Sequence, residues 1–97
     1  MTAVNNTFCK KYEDFIIKKQ EEIGDFQTIY KFPNDYGASV IHSFMSYGLE
    51  LAVLYFDGDT PHISTDTPIA NDVIGYIPDQ EELTKLLDQI KALKGGQ

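Results

Sequence analysis

Eight consecutive residues, Leu49 to Phe56 (LELAVLYF), constrain the fold of this chain more than any others, and only Glu50 among them is charged. The run is far too short for a membrane helix, which takes about 18 apolar residues. It is bracketed by turn formers, Ser46-Tyr47-Gly48 before it and Asp57-Gly58 after it. A short apolar run between turn signals reads as a central strand. Asp57-Gly58 also marks a hairpin, because both residue types tolerate positive φ. A central strand needs partners on both sides, so the rest of the chain must supply a sheet.

The partners are legible. Residues 26–32 (FQTIYKF) combine aromatic and β-branched side chains and are closed by Pro33-Asn34-Asp35. Residues 38–45 alternate Val40, His42 and Phe44 with Ser39, Ile41 and Ser43. After the hairpin, Pro61 bars ladder pairing at its own position, so a fourth strand starts near His62, runs to Thr67 and lies at an edge. Such short connections imply an antiparallel meander. Residues 68–77, with Val73, Ile74 and Ile77, read as a short strand or an ordered turn.

Helical spacing flanks this region. Phe8, Tyr12, Phe15, Ile16 and Ile23 fall on one face of a helix over residues 7–23, capped by Asn5 or Asn6 and closed by Gly24. Leu83, Leu86, Leu87, Ile90 and Leu93 define a second, with Asp79 three residues before Glu82 as a capping box. The expectation is a single α+β domain over residues 1–97, with 1–6 and 95–97 as flexible tails. It comprises an antiparallel β-meander of about four strands with an N-terminal and a C-terminal helix packed on one face, αββββα.

Charge narrows the function. Fifteen acids against eight lysines, with no arginine, give a net charge of −7. Direct nucleic-acid binding requires clustered cations, so it is disfavoured, and a basic protein partner is favoured. One cysteine, Cys9, leaves no disulfide framework or Cys-based zinc site. The first 20 residues lack the apolar run of a secretory signal. The chain therefore reads as a cytoplasmic protein that makes no use of a membrane.

No constellation carries catalysis or calls for a cofactor. Asp57, Asp59, His62 and Asp66 crowd one hairpin, but Pro61 and the missing twelfth-position Glu break the calcium-loop spacing. His42 reads as a packing residue on its strand, and Cys9 as a small buried one. The serines lack a nucleophile elbow. Tyr36, Tyr47 and Tyr76 fall near turns, where half-exposed rings either cap the core or meet a partner.

What stands out is placement: between Phe32 and Thr84 there are nine acids and no lysine, so the sheet region is expected to project a negative field with no local counter-charge. Asp35, Glu50, Asp57, Asp59, Asp66 and Asp72 are the candidate contact residues.

Residues 36–41 (YGASVI), 49–58 (LELAVLYFDG) and 66–77 (DTPIANDVIGYI) resemble segments of small bacteriophage- and prophage-encoded proteins. The resemblance covers residues 36–93 and implies no active site or ligand. Together with the charge, it implies a non-enzymatic acidic inhibitor that occupies a basic, nucleic-acid-binding surface on a host or defence protein. Three alternatives stand beside it: an immunity protein neutralising a toxin, which predicts the same acidic surface, a self-associating structural phage module forming a homo-oligomer, and a small enzyme with a polar pocket.

Overall fold

The computed structural model describes residues 7–22, 25–42, 49–64, 74–77 and 79–93. The central strand is where the sequence places it. β4 (Leu49–Asp57) pairs antiparallel with β3 (Tyr36–His42), and β3 with β2 (Asp25–Lys31). The order β1-β2-β3-β4-β5 runs across the sheet from β1 (Ile16–Glu22) to β5 (Thr60–Ile63). A sixth strand, β6 (Ile74–Ile77), also pairs with β4. β5 meets β4 from Leu54 to Asp57, and β6 meets it from Leu49 to Leu51, so the two short strands share the side away from β3.

The expected αββββα arrangement is thus corrected at its start. Residues 7–22 do not form the expected α-helix. A 3₁₀ segment (Lys10–Phe15) is followed directly by β1, giving, among the described residues, six antiparallel strands, one short 3₁₀ turn and one α-helix, α1 (Gln80–Lys91). The physical cause is visible at both ends of the segment. Tyr30 on β2 donates a hydrogen bond to the Thr7 carbonyl (2.6 Å) and accepts one from the Cys9 amide (2.7 Å), tying residues 7–9 to the sheet with Cys9 in an extended conformation. Ile16-Ile17 then brings two β-branched residues, which disfavour helix and favour strand. The β1–β2 ladder runs to the pair Glu22↔Asp25. The Gly24 helix cap and the Ser46-Tyr47-Gly48 turn lie outside the described residues.

Smaller corrections follow at the β4–β5 hairpin. Asp57 pairs with Thr60, so the loop residues are Gly58 and Asp59, with Gly58 at φ 63. Pro61 is inside β5, opposite Phe56. That position alternates with the hydrogen-bonded Asp57–Thr60 pair beside the loop, so its missing N–H faces away from β4.

α1 forms as the leucine spacing requires. Asp79 caps it by accepting from the Glu82 amide (3.0 Å), and Leu83, Leu87 and Ile90 are fully buried. Its other end is held by the β2–β3 turn. The Asn34 side-chain amide donates to the carbonyls of Ile90 (2.9 Å), Lys91 (3.0 Å) and Leu93 (2.9 Å), at the end where the regular helical hydrogen bonds run out. α1 and the 3₁₀ segment cover one face of the sheet, over Tyr30, Ala38, Val40, Leu51 and Val53. Tyr12, Phe15 and Phe32 close one end with edge-to-face and tilted ring contacts.

Candidate functional site

Strand alternation sends every second residue to the opposite face. Residues 27, 29 and 31, 37, 39 and 41, and 50, 52, 54 and 56 therefore point away from α1. Among the described residues no helix is layered over them, although Phe56, beside Lys31, and Leu54 are buried. Residues 27, 29, 39, 41, 50, 52 and 54, with Pro61 and Ile63, line a shallow groove of about 350 Å³ that is largely apolar. Ala52 and Leu54 make its floor. Ile29, Ile41 and Ile63 make its walls, and Ile63 is 61% exposed. Gln27 donates to Ser39 Oγ (2.9 Å) at the polar part of the lining, to which Glu50 also contributes.

Glu50 is thus in the groove. Asp35, Asp57 and Asp59 are elsewhere: the β2–β3 turn and the β4–β5 hairpin bring them to one end of the sheet. Asp35 holds φ 69 and its carbonyl accepts from the Phe56 amide (2.7 Å), which joins the two turns. Glu50 and Asp57 are seven steps apart on β4, about 24 Å along an extended strand. Asp66 and Asp72 lie outside the described residues.

The expected lack of counter-charge does not hold at this end. Lys31, one residue before the lysine-free stretch, reaches Asp59 (3.4 Å) and the Gly58 carbonyl (3.2 Å). Its ammonium also sits 5.3 Å from the centroid of the Phe56 ring. Asp59 is fully exposed, so this ion pair contributes little to stability. Asp35 and Asp57 remain exposed beside it.

The other candidates resolve plainly. Cys9 is buried, with its sulfur 3.5 Å from Thr84 Oγ1. His42 faces the covered side, half-buried, and its Nδ1 has no hydrogen-bond partner among the described residues. His62 is exposed opposite Tyr55. Among the described residues no three His, Cys, Asp or Glu side chains gather to hold a metal ion. Tyr36 packs edge-on against Tyr55 at 5.4 Å, while Tyr47 and the side chain of Tyr76 lie outside the described set. No helix of the described residues is long and apolar enough to cross a membrane.

One charged cluster lies on the covered layer. Lys11 bonds Asp88 at 2.8 Å, and the Tyr12 hydroxyl donates to the same carboxylate. The Lys11 hydrogen bond, then that of Tyr12, holds the Asp88 carboxyl below its ordinary pKa. Burial, then Asp88, pushes the Tyr12 hydroxyl up. This cluster ties the 3₁₀ segment to α1 and faces no pocket that has been described.

Sequence reasoning missed the groove. Its signal was present in the run 49–56, where both parities are apolar although a sheet with two flanking helices on one side can bury only one of them. Comparison with known families, curated proteins and solved structures gives no match in any of the three.

Proposed function

We propose that the protein is a non-enzymatic binding module that docks a partner protein on the uncovered sheet face, with the acidic turns at one end steering a basic rim of that partner. The observation that supports this reading most is the groove itself. Ile41 and Ile63 stay exposed beside a floor of Ala52 and Leu54, in a domain whose opposite face is already covered. Interfaces of this kind combine an apolar centre with a polar rim. Here Glu50 lies within the patch and Asp35, Asp57 and Asp59 beyond its end. Charge at such a rim raises association rate more than affinity.

The resemblance to phage proteins supports a narrower form of the proposal, in which the partner is a basic, nucleic-acid-binding host or defence protein in the bacterial cytoplasm. Occlusion of that basic surface is the mechanism. A tagged pull-down washed at low and high salt tests it, with two variants beside the wild type. Ile41→Ser with Ile63→Ser removes the apolar walls, and Asp57→Lys with Asp59→Lys reverses the end charge. The expected result is one basic protein retained by wild type, lost from the first variant, and bound by the second more slowly and with less salt dependence. Capture unaffected by both variants would refute the reading.

A further inference from the structure

The two edges of the sheet are built differently. On one side lie β5 and β6, four residues each, with Pro61 inside β5. Short strands and a proline are the usual means of preventing an edge from pairing with another chain. On the other side lies β1, seven residues long, which among the described residues pairs only with β2. Residues 17–21 are all exposed.

Lysine on an edge strand ordinarily blocks self-pairing, because two copies bring like charges together. β1 cancels that effect. Its residues 18–22 read Lys-Lys-Gln-Glu-Glu, which is antisymmetric in charge about Gln20, and isoleucines 17 and 23 flank the run in the sequence. If two copies run antiparallel with Gln20 opposite Gln20, Lys18 falls opposite Glu22 and Lys19 opposite Glu21. Sliding either way by one residue in each copy places Lys19 opposite Lys19 or Glu21 opposite Glu21. Parallel pairing would oppose lysine to lysine throughout.

We infer that a second copy of this chain is the partner of the β1 edge, paired antiparallel about a two-fold axis at Gln20. Opposite charges directly across an antiparallel pair stabilise it, and like charges destabilise it. The axis stands perpendicular to the sheet, because residue 20 must oppose its own copy on the same face. Both copies of α1 then lie on one side, and the two uncovered faces continue one another across the join. Lys19 and Glu21 are on the α1 side, since they pair with buried Thr28 and Phe26. The Lys19 ammonium already lies 4.7 Å from the Phe8 ring centroid, at the height where the Glu21 of a second copy arrives. The register break between Ile16 and Lys18 ends the ladder, so the contact is short and the dimer weak.

Sedimentation velocity from micromolar to millimolar concentration tests the contact on the full chain. Wild type is expected to show a monomer–dimer equilibrium. Lys18→Glu with Lys19→Glu weakens it at least about tenfold, because four opposite-charge contacts become like-charge ones. Adding Glu21→Lys and Glu22→Lys restores complementarity, and the dimer returns.

A second test reads the register. Directly opposed β-carbons are about 4.5–5.5 Å apart, close to the reach of a disulfide. Gln20→Cys should therefore cross-link under mild oxidation by diamide. Lys18→Cys, whose copies lie about 14 Å apart, should not, and wild type, with Cys9 buried, should not. A wild-type chain monomeric throughout, a dimer indifferent to charge reversal, or equal cross-linking at 18 and 20 would each overturn the inference. The inference stands apart from the docking proposal, since none of these readouts involves another protein.

Discussion

The two faces of one sheet are made by alternate residues of the same strands, yet they do different work. On the covered face, Tyr30, Ala38, Val40, Leu51 and Val53 meet Leu83, Leu87 and Ile90 and are excluded from water. On the other, Ile41 and Ile63 remain exposed around a groove that also contains Gln27, Ser39 and Glu50. Fully burying a side chain of this size contributes about 1.5–3 kcal/mol, so the first face carries much of the stability, and Leu54 and Phe56 add to it from the second. On the second face the exposed positions, Ile41 and Ile63, are the ones free to vary without loss of fold, which is the condition for a binding surface. The lesson is that hydrophobic content alone does not separate core from interface. The layer opposite each residue does.

That comparison can be broken by mutation. Leu87→Ala leaves a cavity under α1 and is expected to cost about 3 kcal/mol in urea unfolding. A cost near zero would mean that the covered face is not the core. Tyr30→Phe keeps the ring but leaves the Thr7 carbonyl and Cys9 amide without their partner, at about 2 kcal/mol. It has an alkaline signature as well. Burial pushes the Tyr30 hydroxyl above its ordinary pKa of 10.0, so the neutral form is favoured in the fold. The stability it contributes is present below pH 10 and declines as pH rises beyond it, and Tyr30→Phe should flatten that decline.

Asp88→Asn tests the exposed cluster on the covered layer. Its carboxyl is held below the ordinary value of 3.8, so its contribution exists above that pH and is lost as pH falls below it. Since Asp88 and Lys11 are about half exposed, solvent screening limits the effect to less than about 1 kcal/mol at neutral pH. Wild type and variant should converge in stability as the pH falls below 3.8 and the carboxyl becomes protonated. The smallest effect belongs to the open face: Ile63→Ser should change stability by no more than about 0.5 kcal/mol. A larger loss would show that this residue belongs to a packed layer and would weaken the docking reading.

Much of the architecture was legible because local and tertiary preferences agreed. The 49–56 run became β4, residues 26–32 supplied β2, and Asp79 with the leucine spacing produced α1 almost residue for residue. The N-terminal segment misled because its spacing serves two structures. Tyr12, Phe15 and Ile16 face the core after a single 3₁₀ stretch as well as they would along a helix. The Tyr30 hydroxyl, 21 to 23 residues away, decided between them, and no window of local sequence contains that contact. Of the candidate acids, Asp35, Asp57 and Asp59 share one end because two turns do, whereas Glu50 lies apart in the groove.

By itself, then, the sequence determined the strands with strong apolar runs, the capped C-terminal helix, the acidic turns and the charge-antisymmetric stretch around Gln20. Each depends on propensity, periodicity or charge within a few residues. Only the tertiary structure decided that residues 16–22 form an edge strand, that Asn34 closes α1, and that among the described residues no helix lies over the second face of the sheet. Those outcomes depend on contacts between distant segments. Their free energies exceed the small differences between helix and strand preference along the chain.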